Sequence, residues 1–124
     1  MATRSMIALK HGDYYLTIYC HWDGDSLLTT LRTFYNSHEA ARALINLGFL
    51  SQIDAKTGAT MAFHRDRGDP WEEVKPFVFS WHDLKEAIKN CDGEYVYVFS
   101  QGRWNKYIVE ENGNLSHCEI YQYI

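Results

Sequence analysis

Apolar residues alternate with small or polar ones from Ser5 to Lys10, where Ile7 and Leu9 recur at a spacing of two, and the chain then turns at His11-Gly12-Asp13. From Tyr14 to His21 β-branched and aromatic residues resume the alternation, so the two segments predict a hairpin. In its second strand Leu16, Ile18 and Cys20 share one face, and Tyr15, Thr17, Tyr19 and His21 the other. The period changes after Asp25 or Ser26, both good helix caps: Leu27, Leu28, Leu31, Phe34 and Tyr35 recur at helical spacing as far as Asn36. Ser37 caps a second helix through Leu47, with Ala41, Leu44 and Ile45 on its buried face and Gly48 as the stop.

Asp54 to Gly58 reads as a turn, and Ala59 to Arg65 as a strand that ends at the charged break Asp66-Arg67-Gly68-Asp69-Pro70. Ser80 marks a third helix, with Asp83 as capping-box partner, Phe79 and Leu84 at staple spacing, and Trp81, Leu84 and Ile88 as the apolar stripe. The remainder predicts a meander: Glu94 to Phe99, a turn at Gln101-Gly102, Trp104 to Glu110, a turn at Asn112-Gly113, and Leu115 to Ile124. The expected fold class is α+β. A single domain over residues 1–124 would hold a mostly antiparallel sheet, made of the N-terminal hairpin, the middle strand and the three-stranded meander, with about three helices on one face.

A chain of 124 residues is long enough for one core without disulfides or a structural metal. No apolar stretch reaches the ~20 residues that span a bilayer, and the start Met1-Ala2-Thr3-Arg4-Ser5 lacks the apolar segment of a signal peptide, so a cytoplasmic location without membrane attachment is expected. Cys20, Cys91 and Cys118 are odd in number and widely separated, which predicts reduced thiols. A formal net charge of −4 argues against broad nucleic-acid binding and leaves room for a basic protein partner, or for one phosphate held by local arginines.

Candidate chemistry gathers in Cys20-His21-Trp22-Asp23-Gly24-Asp25, where a strand meets a helix. Beside Arg4 and His64-Arg65-Asp66-Arg67, this junction would form an anion pocket, since arginine forks bind phosphate bidentately. Arg4, Arg65 and Arg67 are the anion-binding candidates, and His21, Asp23 and His64 the candidate catalytic groups for hydrolysis. The competing reading is structural, because Asp-Arg pairs in loops are commonly plain ion pairs and Asp-Gly before a helix an ordinary turn. Metal ligation by His21, Asp23 and His64, or by Cys20, His117 and Cys118, lacks a specific spacing, and no metal or cofactor is expected. Cys20 lies on the apolar face of its strand and is a poor nucleophile candidate.

The meander carries a different signal. Tyr95, Tyr97 and Phe99 share one face of a strand, and Trp104, Tyr107, Tyr121 and Tyr123 lie on its neighbours, which predicts an aromatic interface. The alternative is that helices cover both faces of the sheet.

The start Met1-Ala2-Thr3-Arg4-Ser5-Met6-Ile7-Ala8, the stretch Ile18 to Gly24 and Phe63-His64-Arg65-Asp66-Arg67-Gly68 resemble a family of small proteins from phages, prophages and mobile elements. Two positions depart from its pattern: Asp25 stands where an aromatic residue is usual, and Asp69 where Glu is. The resemblance implies an accessory protein that binds and modulates a host or defence-system protein, as anti-CRISPR and other anti-defence inhibitors do. A nucleotide or phosphate-ester binder or hydrolase, and a homodimerising structural module, are the alternatives.

Overall fold

A computed structural model describes residues 2–118. The hairpin forms as the alternation predicts: β1 (Ser5–His11) and β2 (Tyr14–Cys20) pair antiparallel, with Ile7 opposite Ile18 and Met6 opposite Tyr19. Two helices follow, α1 (Leu27–Phe34) and α2 (His38–Ile45). They return the chain to β3 (Leu50–Gln52), which runs parallel to the end of β2 at Cys20, a pairing that needs such a crossover. Ser37 caps α2 by accepting from the Ala40 amide at 3.1 Å. Phe34, placed by spacing on the apolar stripe of α1, is exposed, whereas Tyr35 is buried and its hydroxyl donates to the Asp54 carbonyl.

The expected middle strand is mostly helix. Only β4 (Met61–Ala62) pairs, with β3, and residues Phe63–Arg67 wind into the short α3. Asp66 explains part of the change: its carboxylate accepts from the Ala62 amide at 2.7 Å and closes the turn from below, a local bond that competes with a strand ladder. Gly68, at a φ of 81°, ends α3 as a left-handed stop. A second unpredicted helix, α4 (Trp71–Val74), leads to β5 (Phe77–Phe79), which pairs with the first half of β2.

α5 (Trp81–Asn90) starts at Ser80, whose hydroxyl accepts from the Asp83 amide at 3.1 Å. β6 (Tyr95–Ser100), β7 (Arg103–Val109) and β8 (Leu115–His117) form the expected meander, and the predicted extension of its last strand past residue 118 lies outside the described residues. The strands make one mixed sheet of order β4-β3-β2-β1-β6-β7-β8. Five of its described pairings are antiparallel, and β1–β6 and β2–β3 are parallel. Among the described residues no helix is long and apolar enough to cross a membrane.

Helices lie on both faces of the sheet rather than on one. Ile7, Leu9, Ile18, Cys20, Tyr97 and Phe99 point toward α1 and α2, where Leu27, Leu31, Leu44 and Ile45 are buried against them. On the opposite face Met6, Ala8, Val96 and Val98 meet Leu84 and Ile88 of α5. Fully burying one such aliphatic side chain stabilises the fold by about 1.5–3 kcal/mol, so each stripe is ample to dock its helix.

Candidate functional site

The Cys20-to-Asp25 junction is held on all sides by backbone. The His21 amide donates to the Leu50 carbonyl at 3.0 Å, that of Trp22 to Ser51 at 2.9 Å, and that of Gly24 to Thr3 at 2.9 Å. The Tyr97 hydroxyl donates to the Gly24 carbonyl and accepts from the Leu27 amide, and Lys106 Nζ donates to the Asp25 carbonyl at 2.7 Å. Gly24 has no room for a side chain, since a Cβ there would stand 2.5 Å from the Thr3 oxygen and 3.1 Å from Ser5 Cβ. This contact gives a physical reason for Thr3-Arg4-Ser5 to accompany Trp22-Asp23-Gly24. Asp23 is an exposed turn residue with φ of 62°, and its carbonyl accepts from the Ser26 amide.

Cys20 is buried, and its thiol is pushed up to about 12 by burial, against a weaker opposing contribution from the Trp22 backbone. A thiol kept protonated in this way is a poor nucleophile at neutral pH. Its face matches the expectation from alternation.

The cationic candidates are mostly committed to carboxylates of their own segment. Arg65 forks onto Asp66 at 3.0–3.1 Å and also donates to the Thr60 carbonyl; its guanidinium, with the Ala62 amide, holds the Asp66 carboxyl below its ordinary range. Arg67 pairs with Asp69 at 3.0 Å, rather than with Asp23, and lies 4.0 Å above the Phe63 ring. His64 Nδ1 bonds the Asp69 carbonyl at 2.8 Å and its ring meets Trp71 edge-on. Arg65 and Arg67 therefore form no unopposed fork for a phosphate, and the helical placement of residues 63–67 replaces the strand edge on which the shared pocket depended.

Arg4 and His21 behave differently. Both act on Tyr19: its hydroxyl bonds His21 Nδ1 at 2.7 Å, and the Arg4 guanidinium favours the ionised phenol. Burial raises the Tyr19 phenol above its ordinary value, and the Arg4 guanidinium pulls it partly back. Among the described residues no three of His, Cys, Asp and Glu gather as metal ligands, and His117 instead bonds the Asn105 carboxamide oxygen at 3.2 Å.

Tyr19 also floors a groove of about 580 Å³ between α3–α4 and α5. Met6 and Tyr19 of the sheet form its base, and Phe49, Phe63 and Val74 one wall. Ala87, Asn90 and Cys91 form the other wall, and Phe77 and Phe79 of β5 close it along the sheet. The rings run in contact, Tyr19 to Phe49 at 5.8 Å, Phe49 to Phe77 at 5.7 Å and Phe77 stacked on Phe79 at 5.5 Å. The wall is placed by Gly48: at φ of +80° it lets the Phe49 amide reach the Val74 carbonyl at 2.7 Å, and a Cβ there would stand 2.6 Å from that same oxygen. Phe49, Phe63, Phe77 and Phe79 were absent from the sequence-based candidates. The run Phe77-Val78-Phe79 was the available signal, three strand-forming residues that no amphipathic period assigns to a core.

The aromatic meander, by contrast, supplies no docking surface where it was expected. Tyr97, Phe99 and Trp104 are buried, because α1 and α2 cover that face; the Trp104 indole donates to the Tyr35 carbonyl at 3.0 Å. Tyr95 and Tyr107 are half-buried, Tyr95 under Lys106 at 4.7 Å and Tyr107 between Trp81 and His117, while Tyr121 and Tyr123 lie outside the described residues. No family model, curated protein or solved structure matches this chain.

Proposed function

We propose that the chain is a small accessory protein, of the kind encoded by phages and mobile elements, that binds and modulates a host or defence-system protein. The observation that carries this reading is the open aromatic groove between α3–α4 and α5. Its volume lies within the 300–1,000 Å³ typical of ligand clefts, and Phe77 at its edge is 43% exposed. Rigid aromatic walls bind partner side chains with little ordering cost, which favours recognition over catalysis here.

The reaction chemistry once expected of His21, Asp23 and His64 has little support. His21 faces a phenol, His64 a backbone carbonyl and Asp23 solvent, so none of the three orients another. The test is quantitative co-precipitation from host lysate with wild-type bait and with Ala87→Trp, which fills the groove from the α5 side. Wild type should recover a defined partner that the filled variant loses. A partner retained equally by both, or none with folded bait in excess, would overturn the proposal.

A further inference from the structure

Resting on the reading that the groove docks a segment of another protein, we infer that its occupant is a cationic amphipathic segment. An apolar side chain of that segment enters among Phe49, Phe77 and Phe79, and a neighbouring arginine or lysine meets the acidic rim. The charges on the α3–α4 wall carry the inference, with Asp83 one turn beyond the α5 wall. The charged residues lining the groove are Asp69 and Glu73, both acidic, and Asp83 lies on the same α5 stripe as Ala87 and Asn90 at helical spacing of four and seven. Among the described residues no cation pairs with Glu73 or Asp83, whereas the other acids nearby are satisfied, Asp69 by Arg67 and Glu72 by Lys75. An arriving cation thus finds carboxylates that are solvated and unspent.

The groove already displays this chemistry once. Arg67 lies over the Phe63 ring at 4.0 Å while its guanidinium pairs with Asp69 at 3.0 Å, an aromatic face and a carboxylate sharing one cation. Glu73, beside the ring wall, offers a partner's guanidinium a similar carboxylate. Arg4 is the counter-charge in this region. It stands at the Tyr19 hydroxyl on the floor, so it repels a second cation there and directs the partner's basic residue toward the α4 wall.

The test is a titration of the isotopically labelled full chain with three capped peptides, acetyl-Leu-Phe-Arg-Arg-amide, acetyl-Leu-Phe-Gln-Gln-amide and acetyl-Leu-Phe-Glu-Glu-amide, followed by amide NMR shifts. The basic peptide should perturb groove residues and bind roughly five-fold more tightly than the neutral one, an advantage that disappears in Glu73→Gln/Asp83→Asn and shrinks when salt is raised by about ten-fold. Both substituted side chains are exposed, and the spectrum itself reports that the variant is folded. Equal binding of all three peptides, or preference for the acidic one, would overturn the cationic occupant while leaving a docking groove. Absence of any groove shift with every peptide would overturn both.

Discussion

Tyr97 and Tyr19 stand one strand apart in the same sheet, in β6 and β2 on either side of β1, and point to opposite faces. Tyr97 is closed over by α1, and its hydroxyl is consumed by the Gly24 carbonyl and the Leu27 amide. Tyr19 is half-buried on the floor of a groove, and its hydroxyl bonds His21 Nδ1. The difference arises from what each face receives. Two helices and the Cys20-to-Asp25 junction pack on the Tyr97 side, whereas α5 alone covers the other side, leaving α3 and α4 to make a rim rather than a lid. One tyrosine is therefore sealed into the core, and the other keeps part of its ring on an open surface.

The strongest way to break this contrast is on the closed face. Trp104→Ala removes a fully buried indole that also satisfies the Tyr35 carbonyl, and should cost about 3–5 kcal/mol in urea unfolding. A loss below about 1 kcal/mol would mean that this face is not the closed one. Next in size, Gly24→Ala drives a methyl group against the Thr3 oxygen and should cost about 1–3 kcal/mol, with the amide signals of Thr3, Ser5 and Leu27 displaced. An unchanged stability would remove the junction from the list of structural joints.

A smaller effect follows from Cys20. Its folded-state value is raised from 9.0 to about 12 by burial, so above pH 9 the unfolded chain loses the thiol proton while the folded chain keeps it. The stabilisation is complete below pH 9 and declines between 9 and 12. Near pH 10 the loss attributable to this thiol is about 1 kcal/mol, and Cys20→Ala should flatten that part of the stability profile. Thiol labelling at pH 8 should leave Cys20 unmodified in the native state and reach it only on unfolding; rapid native labelling would contradict its burial.

Local order was the legible part of the sequence. Alternation in β2 placed Leu16, Ile18 and Cys20 on the face that α1 and α2 cover, and Ser37 and Ser80 marked two helix starts through bonds that are entirely local. Alternation does not reveal what covers a face, and for that reason Tyr97, Phe99 and Trp104 were expected as interface and are core. The groove was illegible for a related reason. α3, α4 and β5 have five, four and three residues, too short to establish a period, and they are placed by tertiary contacts such as the bond from Phe49 to Val74. The junction motif was conspicuous, but its backbone is what ties it into the fold, while His21 turns to the Tyr19 phenol and Asp23 to solvent.

The sharpest comparison uses the least disruptive change. Phe77 is 43% exposed and touches only the rings of Phe49 and Phe79 among the described aromatic contacts, so Phe77→Ser should cost under about 1 kcal/mol and leave the transition cooperative. Val78→Thr, at a position 65% exposed, is the matched control on the same strand and should be silent within about 0.5 kcal/mol. If the groove is the recognition surface, Phe77→Ser weakens partner binding by ten-fold or more, on the order of 1.4 kcal/mol, while Trp104→Ala weakens it only in proportion to the fraction unfolded. Binding measured with stability-matched samples separates the two cases, because a fold-mediated loss tracks the unfolded fraction and a surface-mediated loss does not. Retention of full affinity by Phe77→Ser would return the groove to the status of an incompletely covered core.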